Sequence, residues 1–215
     1  TVFDGDGNKF LNYDVQFSNG KIAAIGRDLQ VDDATEIDGS GKYVTPGIID
    51  NHSHMGVYSA PGVRTSSDGN EATSPNTAEV WAEHSVWSQD PQYKLALAGG
   101  ITTFHVLPGS ANLFGGRGVT LKNVSGNTVP DMKFPDAPHS LKMACGENPK
   151  RVYSSRGPST RMGNVAGYRN AWIGAEKHRK TLERSPSERN IKNETLVGVL
   201  DGEILVHNHC YRADE

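Results

Sequence analysis

Cysteine is scarce in this 215-residue chain, with Cys145 and Cys210 the only two. Two thiols cannot build a disulfide framework, and both lie beside chemistry-bearing residues in places where a small buried side chain serves, so each is read as a buried thiol. Long hydrophobic runs are missing as well. No stretch approaches the roughly 20 apolar residues that span a bilayer, and the N-terminus has no basic region followed by an apolar one, so no membrane span is expected. Clustered positive charge is absent: 22 Lys and Arg are dispersed among 25 Asp and Glu, for a net charge of −3. Such a chain lacks the basic footprint that a nucleic-acid partner requires. Internal repeats and low-complexity segments are lacking too. The chain opens at Thr1 without Met, directly on a strand-like run, so a preceding segment is expected, and cytoplasmic and exported locations both stay open.

What is present is a chain punctuated by 24 Gly and 11 Pro, with 35% hydrophobic residues, the pattern of a folded, loop-rich α/β protein. Residues 1–43 alternate short strand-like runs with turn dipeptides. Asn19-Gly20 between two such runs predicts a hairpin, because both residues tolerate the positive φ of a type I′ turn. Residues 44–215 form the second expected unit. The apolar run from Tyr43 to Asp50 reads as a buried parallel strand and ends in Asn51-His52-Ser53-His54. Pro75 to Gly100 reads as helical, with Asp90-Pro91 opening a helix that stops at Gly99-Gly100. A strand follows at Ile101–Leu107, so strand, helix and strand make a right-handed βαβ unit and imply a parallel sheet or barrel. A Gly-rich loop over Pro108–Gly118, short strands at Val119–Leu121 and Leu141–Cys145, helices over 164–182 and 188–200, and a last strand at Ile204–His207 complete the reading.

His52 and His54 are two apart, so on an extended strand they point the same way. At the C-terminal end of a parallel strand they face the mouth where barrel sites are built. Two imidazoles on one face suit a divalent metal, and Asp50 is placed to accept the free N–H of a ligand imidazole. His105, inside the second strand, faces either the site or the helix layer, a satisfied core histidine being the default. Arg117, with Lys150, Arg151 and Arg156, is a candidate for gripping a substrate carboxylate, against the default of a solvated loop cation. His84 and Trp81 are read as packing, and His139 and His178 as surface residues.

The string Val44-Thr45-Pro46-Gly47-Ile48-Ile49-Asp50-Asn51-His52-Ser53-His54 closely resembles the first-strand signature of the amidohydrolase superfamily. Asp38-Gly39-Ser40-Gly41-Lys42 resembles its usual lead-in, and Ala98-Gly99-Gly100-Ile101-Thr102-Thr103 the junction into its second strand. The resemblance implies an incomplete TIM-type (β/α)8 barrel, about strands 1 to 5, preceded by a small β-sandwich segment. It also implies metal-dependent hydrolysis of carbon–nitrogen bonds, amide or peptide-like, in a small-molecule substrate. One or two ions are expected, Zn first, with Mn, Ni or Fe as alternatives. His52, His54 and a fifth-strand histidine, His207 in preference to His209, are the implied ligands. A bridging carboxylate comes from Glu147 in preference to a carbamylated Lys142, because Glu147 sits at the expected strand end. The general-base aspartate of the family is expected beyond residue 215. The fifth-strand region is similar to that of imidazolonepropionase-like and dipeptidase-like branches. Ring deamination, a catalytically inactive binding module, and a homo-oligomer remain open.

Overall fold

A computed structural model describes residues 1–215. The chain divides into two compact units, Thr1–Ile48 and Ile49–Glu215. In the first, β1 (Val2–Phe3) pairs antiparallel with β2 (Lys9–Phe10), and β3 (Asp14–Ser18) with β4 (Lys21–Gly26). Asn19 and Gly20 join the latter pair at φ 52° and 73°, the two positive angles that the Asn-Gly dipeptide predicts. These are two separate two-stranded sheets, which is less than the sandwich expected. Val44, read as the start of the first barrel strand, instead bridges to Val2 of β1. The barrel strand proper, β5, covers Ile48–Ser53. Pro46 lies between the two, and its missing N–H interrupts any continuous ladder.

The second unit is built on one curled sheet, a half-barrel, in the order β5-β6-β7-β8-β9. Its later strands are β6 (Ile101–Val106), β7 (Phe114–Lys122), β8 (His139–Ala144) and β9 (Ile204–His209). The expected all-parallel order is corrected here: β7 runs antiparallel to both β6 and β8, and only β8 and β9 are shown parallel. Connection length explains this. The short segment from Leu107 to Leu113 holds no helix, so the chain can only double back, whereas a parallel return needs a crossover of a dozen residues or more. The segment read as a Gly-rich loop thus supplies most of a nine-residue strand. Between β8 and β9 the chain has room for α3 (Glu147–Val152), α4 (Arg161–Arg184) and α5 (Ile191–Leu200). The side chains of Thr160 and Asn190 cap the two longer helices by accepting from Gly163 N and Asn193 N.

Pro75–Gly100 is mostly not helical. Only α1 (Gln92–Ala98) and a 3-10 turn at Ala82–His84 form there. Upstream, Thr77 N donates to Phe114 O at 2.9 Å and Arg117 N to Val80 O at 2.7 Å, so backbone pairing with β7 competes successfully with helix formation. A one-turn α2 (Val129–Met132) follows β7. Two apolar clusters close the unit. One gathers Val57, Tyr93, Phe104, Val106 and Leu121, and the other packs Phe114, Leu141 and Met143 of the sheet against Ala175 of α4 and Leu196 of α5. His178, expected on the surface, is buried on α4.

The two cysteines are not free thiols. Cys145 and Cys210 form a disulfide across a Cα–Cα distance of 5.1 Å. Register accounts for it: Ala144 of β8 lies opposite His209 of β9, so the next residue of each parallel strand meets the other.

Candidate metal centre

Alternation along β8 decides what the site contains. Leu141 and Met143 enter the apolar cluster under α4 and α5, so Ser140, Lys142 and Ala144 face the other way. On β9, His207 stands opposite Lys142 and His209 opposite Ala144, which puts both histidines on the face that Lys142 occupies. From β5, His52 reaches the same place: the Lys142 ammonium donates to His52 Nε2 at 3.1 Å and to Pro108 O at 3.1 Å. His54 stands beside His52, ring centroids 5.2 Å apart. Its Nδ1–H donates to Leu107 O at 2.8 Å, which leaves the Nε2 lone pair free for a ligand. His105 of β6 lies against His207, centroids 4.9 Å apart.

Lys142 is fully buried and has neutral hydrogen-bond acceptors but no carboxylate partner. Burial pushes its amine down to about 8. His52 is pushed down to about 4, by burial first and then by the Lys142 charge and the neighbouring histidines. Burial also lowers His54, His207 and His209. Neutral imidazoles are the form that ligates a metal, so the donor chemistry fits a divalent ion. No three His, Cys, Asp or Glu side chains are gathered tightly enough to hold an ion among themselves; Lys142 Nζ, beside His52 Nε2, is a further nitrogen at this face.

Comparison with known proteins follows the same line. The fold matches a solved amidohydrolase from Thermotoga maritima MSB8 with a TM-score of 0.85 and 39% identity, covering 93% of this chain and 54% of that one. The amidohydrolase tasK of Hapsidospora irregularis is 32% identical over 212 residues, 86% of this chain and 21% of tasK. The chain belongs to the amidohydrolase superfamily. A dihydroorotase of Thermoanaerobacter sp. (strain X514) matches over 55 residues at 44% identity, 26% of this chain and 12% of that protein. No family model matches. The chain spans about half the length of the solved relative and about a fifth of tasK.

The remaining expected site residues of this superfamily member fall in different places. Glu147 is exposed at the first turn of α3, just past the turn at Gly146 (φ 69°). Asp50 accepts the backbone N–H of His52 at 3.1 Å rather than an imidazole N–H. Arg117 stands opposite Leu141 in register, so it shares the outer face of the sheet and is not gathered with the histidines. His209 accepts from Asn148 Nδ2 at 3.4 Å and packs edge-on against Tyr211.

Two hydroxyls that sequence reasoning did not single out complete the inner face. His105 hydrogen-bonds Thr120 Oγ1 through Nδ1 at 2.8 Å and Ser140 Oγ through Nε2 at 2.6 Å. Gly118 makes room for this, since a Cβ there meets Ser140 Oγ at 2.5 Å and His105 Nε2 at 2.8 Å. Their signal was register alone, with His105 opposite Thr120. Burial first, then His207 and His52, hold His105 down at about 4. The unfolded chain takes up a proton there near 6.5 and the fold refuses it until about 4, so this group's contribution to stability is full above 6.5 and is lost as pH falls toward 4. The metal-free His105→Gln variant is expected to lose less stability than wild type across that window, read as urea midpoints between pH 7 and 4. Parallel curves contradict it.

Proposed function

We propose that this chain is part of a metal-dependent hydrolase that cleaves carbon–nitrogen bonds, amide or peptide-like rather than ester, in small molecules. The curled sheet is then part of a (β/α)8 barrel, and the Thr1–Ile48 unit part of a small β-sandwich. His52, His54, His207 and Lys142 would hold one or two divalent ions, zinc first.

The observation that carries this reading is Lys142, a fully buried lysine with no anion, 3.1 Å from His52 Nε2. An uncompensated buried charge opposes folding, so its presence points to a use for the amine. Addition of CO2 to the neutral Nζ forms an N–C bond and releases one proton, converting the amine into a carboxylate-bearing ligand. That is the bridging role the superfamily resemblance implies, assigned here to Lys142 instead of Glu147. When bound, a divalent ion supplies Lewis acidity toward a carbonyl and acidifies water. The rest is positioning by the chain. Leu107 O fixes the His54 tautomer, Pro108 O anchors Lys142, and His105, tied to Thr120 and Ser140, backs the His207 ring.

The test is turnover by the protein that carries this chain, on N-acyl amides, dipeptides and cyclic amides beside ester analogues. Amide cleavage is expected to vanish on chelation and return with zinc. The His52→Ala loss is expected to exceed the roughly 10- to 100-fold typical of outer-shell changes. Ester-only turnover, or amide turnover indifferent to both treatments, contradicts the proposal.

A further inference from the structure

The outer face of the sheet carries a cavity of about 1100 Å³, lined by the 67–85 segment, β7 and α5. Arg117 lines it and is only 9% exposed. Its guanidinium lies over the Trp81 ring, 3.8 Å from the centroid, and Trp81 in turn stacks on His84 and meets His139 edge-on. Arg117 Nε is buried without a hydrogen-bond partner. Three other cations near this cavity hold carboxylates. Lys192 holds Glu79 at 3.3 Å, Arg189 holds Glu194 at 2.6 Å, and Lys133 holds Glu83 at 2.6 Å. A buried guanidinium with an aromatic stack but no acceptor is incomplete, because its planar fork is built to grip an oxyanion through two parallel N–H bonds.

We propose that the Arg117–Trp81 cavity is a second ligand site, which binds a small carboxylate through the Arg117 guanidinium. A singly charged carboxylate fits better than a phosphate dianion. Asp68, Glu71 and Glu203 also line the cavity, and their field opposes a dianion about twice as strongly as a singly charged group. The site is separate from the histidine cluster, because Arg117 lies on Leu141's side of β8 and Lys142 on the other. It does not rest on the metal reading.

The experiment is an NMR titration of the protein that carries this chain, at constant ionic strength, with acetate and, separately, inorganic phosphate. The Arg117 Nε–H and Trp81 indole N–H resonances are followed. Saturable shifts with acetate, weaker ones with phosphate, and the same response in His52→Ala/His54→Ala support the proposal. Arg117→Met is expected to weaken acetate binding at least about tenfold, with Arg117→Lys intermediate. No saturable shift in wild type with acetate, or tighter binding of phosphate than of acetate, overturns it even if the Met variant does not fold. A folded Arg117→Met variant with unchanged affinity overturns it as well.

Discussion

Lys142→Met is expected to make the metal-free protein more stable by about 3 kcal/mol at neutral pH, while ending its capacity to hold metal. The amine is fully buried, and its two acceptors, His52 Nε2 and Pro108 O, carry no charge to offset its own. Burial lowers its pKa from 10.5 to about 8. The unfolded chain therefore keeps its proton up to about 10.5 while the fold releases it from about 8, so wild-type stability rises with pH across that window. The Met variant, similar in length and uncharged, has no such rise. The check is urea denaturation of both proteins in CO2-depleted buffer from pH 7 to 10.5. The variant should start higher and the two curves should converge. A wild type that is the more stable at pH 7, or parallel pH curves, would mean that Lys142 has an anionic partner and is structural.

Breaking the Cys145–Cys210 bond is expected to cost about 4 kcal/mol, the loop-entropy value for a sequence separation of 65. The bond sits one residue beyond the β8–β9 ladder, where Cys145 N also donates to His209 O at 2.8 Å, so it holds the strand ends that carry Lys142, His207 and His209. Denaturation of the Cys145→Ser/Cys210→Ser variant beside wild type measures the effect, with thiol titration of the unreduced protein as the chemical control. A difference under about 1 kcal/mol, or two free thiols in the unreduced protein, contradicts the expectation.

Where the sequence reading succeeded and where it failed has physical causes. Local signals carried well. Asn19-Gly20 demanded a hairpin and made one, Gly99-Gly100 stopped α1, and the apolar run into Asn51-His52-Ser53-His54 gave the superfamily. Failures came from information that is not local. The sequence around Val119 shows a strand but not its direction, which the helix-free connection from β6 decides. Cys145 and Cys210 are far apart in the chain, and only the β8–β9 register brings them together. The reading preferred Glu147 over Lys142 because Glu147 follows the expected strand Leu141–Cys145; β8 ends at Ala144, and Glu147 lies past the turn at Gly146 in α3. The burial of Lys142 was legible in Leu141-Lys142-Met143-Ala144, a lysine inside an otherwise apolar strand. Arg117 was read as a loop residue, a candidate for gripping a substrate carboxylate or else a solvated cation; nothing in a Gly-rich stretch announced that it lay opposite Leu141.

The central claim is that His52, His54 and Lys142 share a metal centre, and elemental analysis of the purified chain tests it most directly. Wild type, His52→Ala/His54→Ala and Lys142→Met are each incubated with zinc and bicarbonate, desalted and assayed. Near-stoichiometric metal in wild type, lost in both variants that retain their fold, is the expected result. Equal and negligible metal in all three would contradict the account and leave the superfamily membership without a working site in these residues.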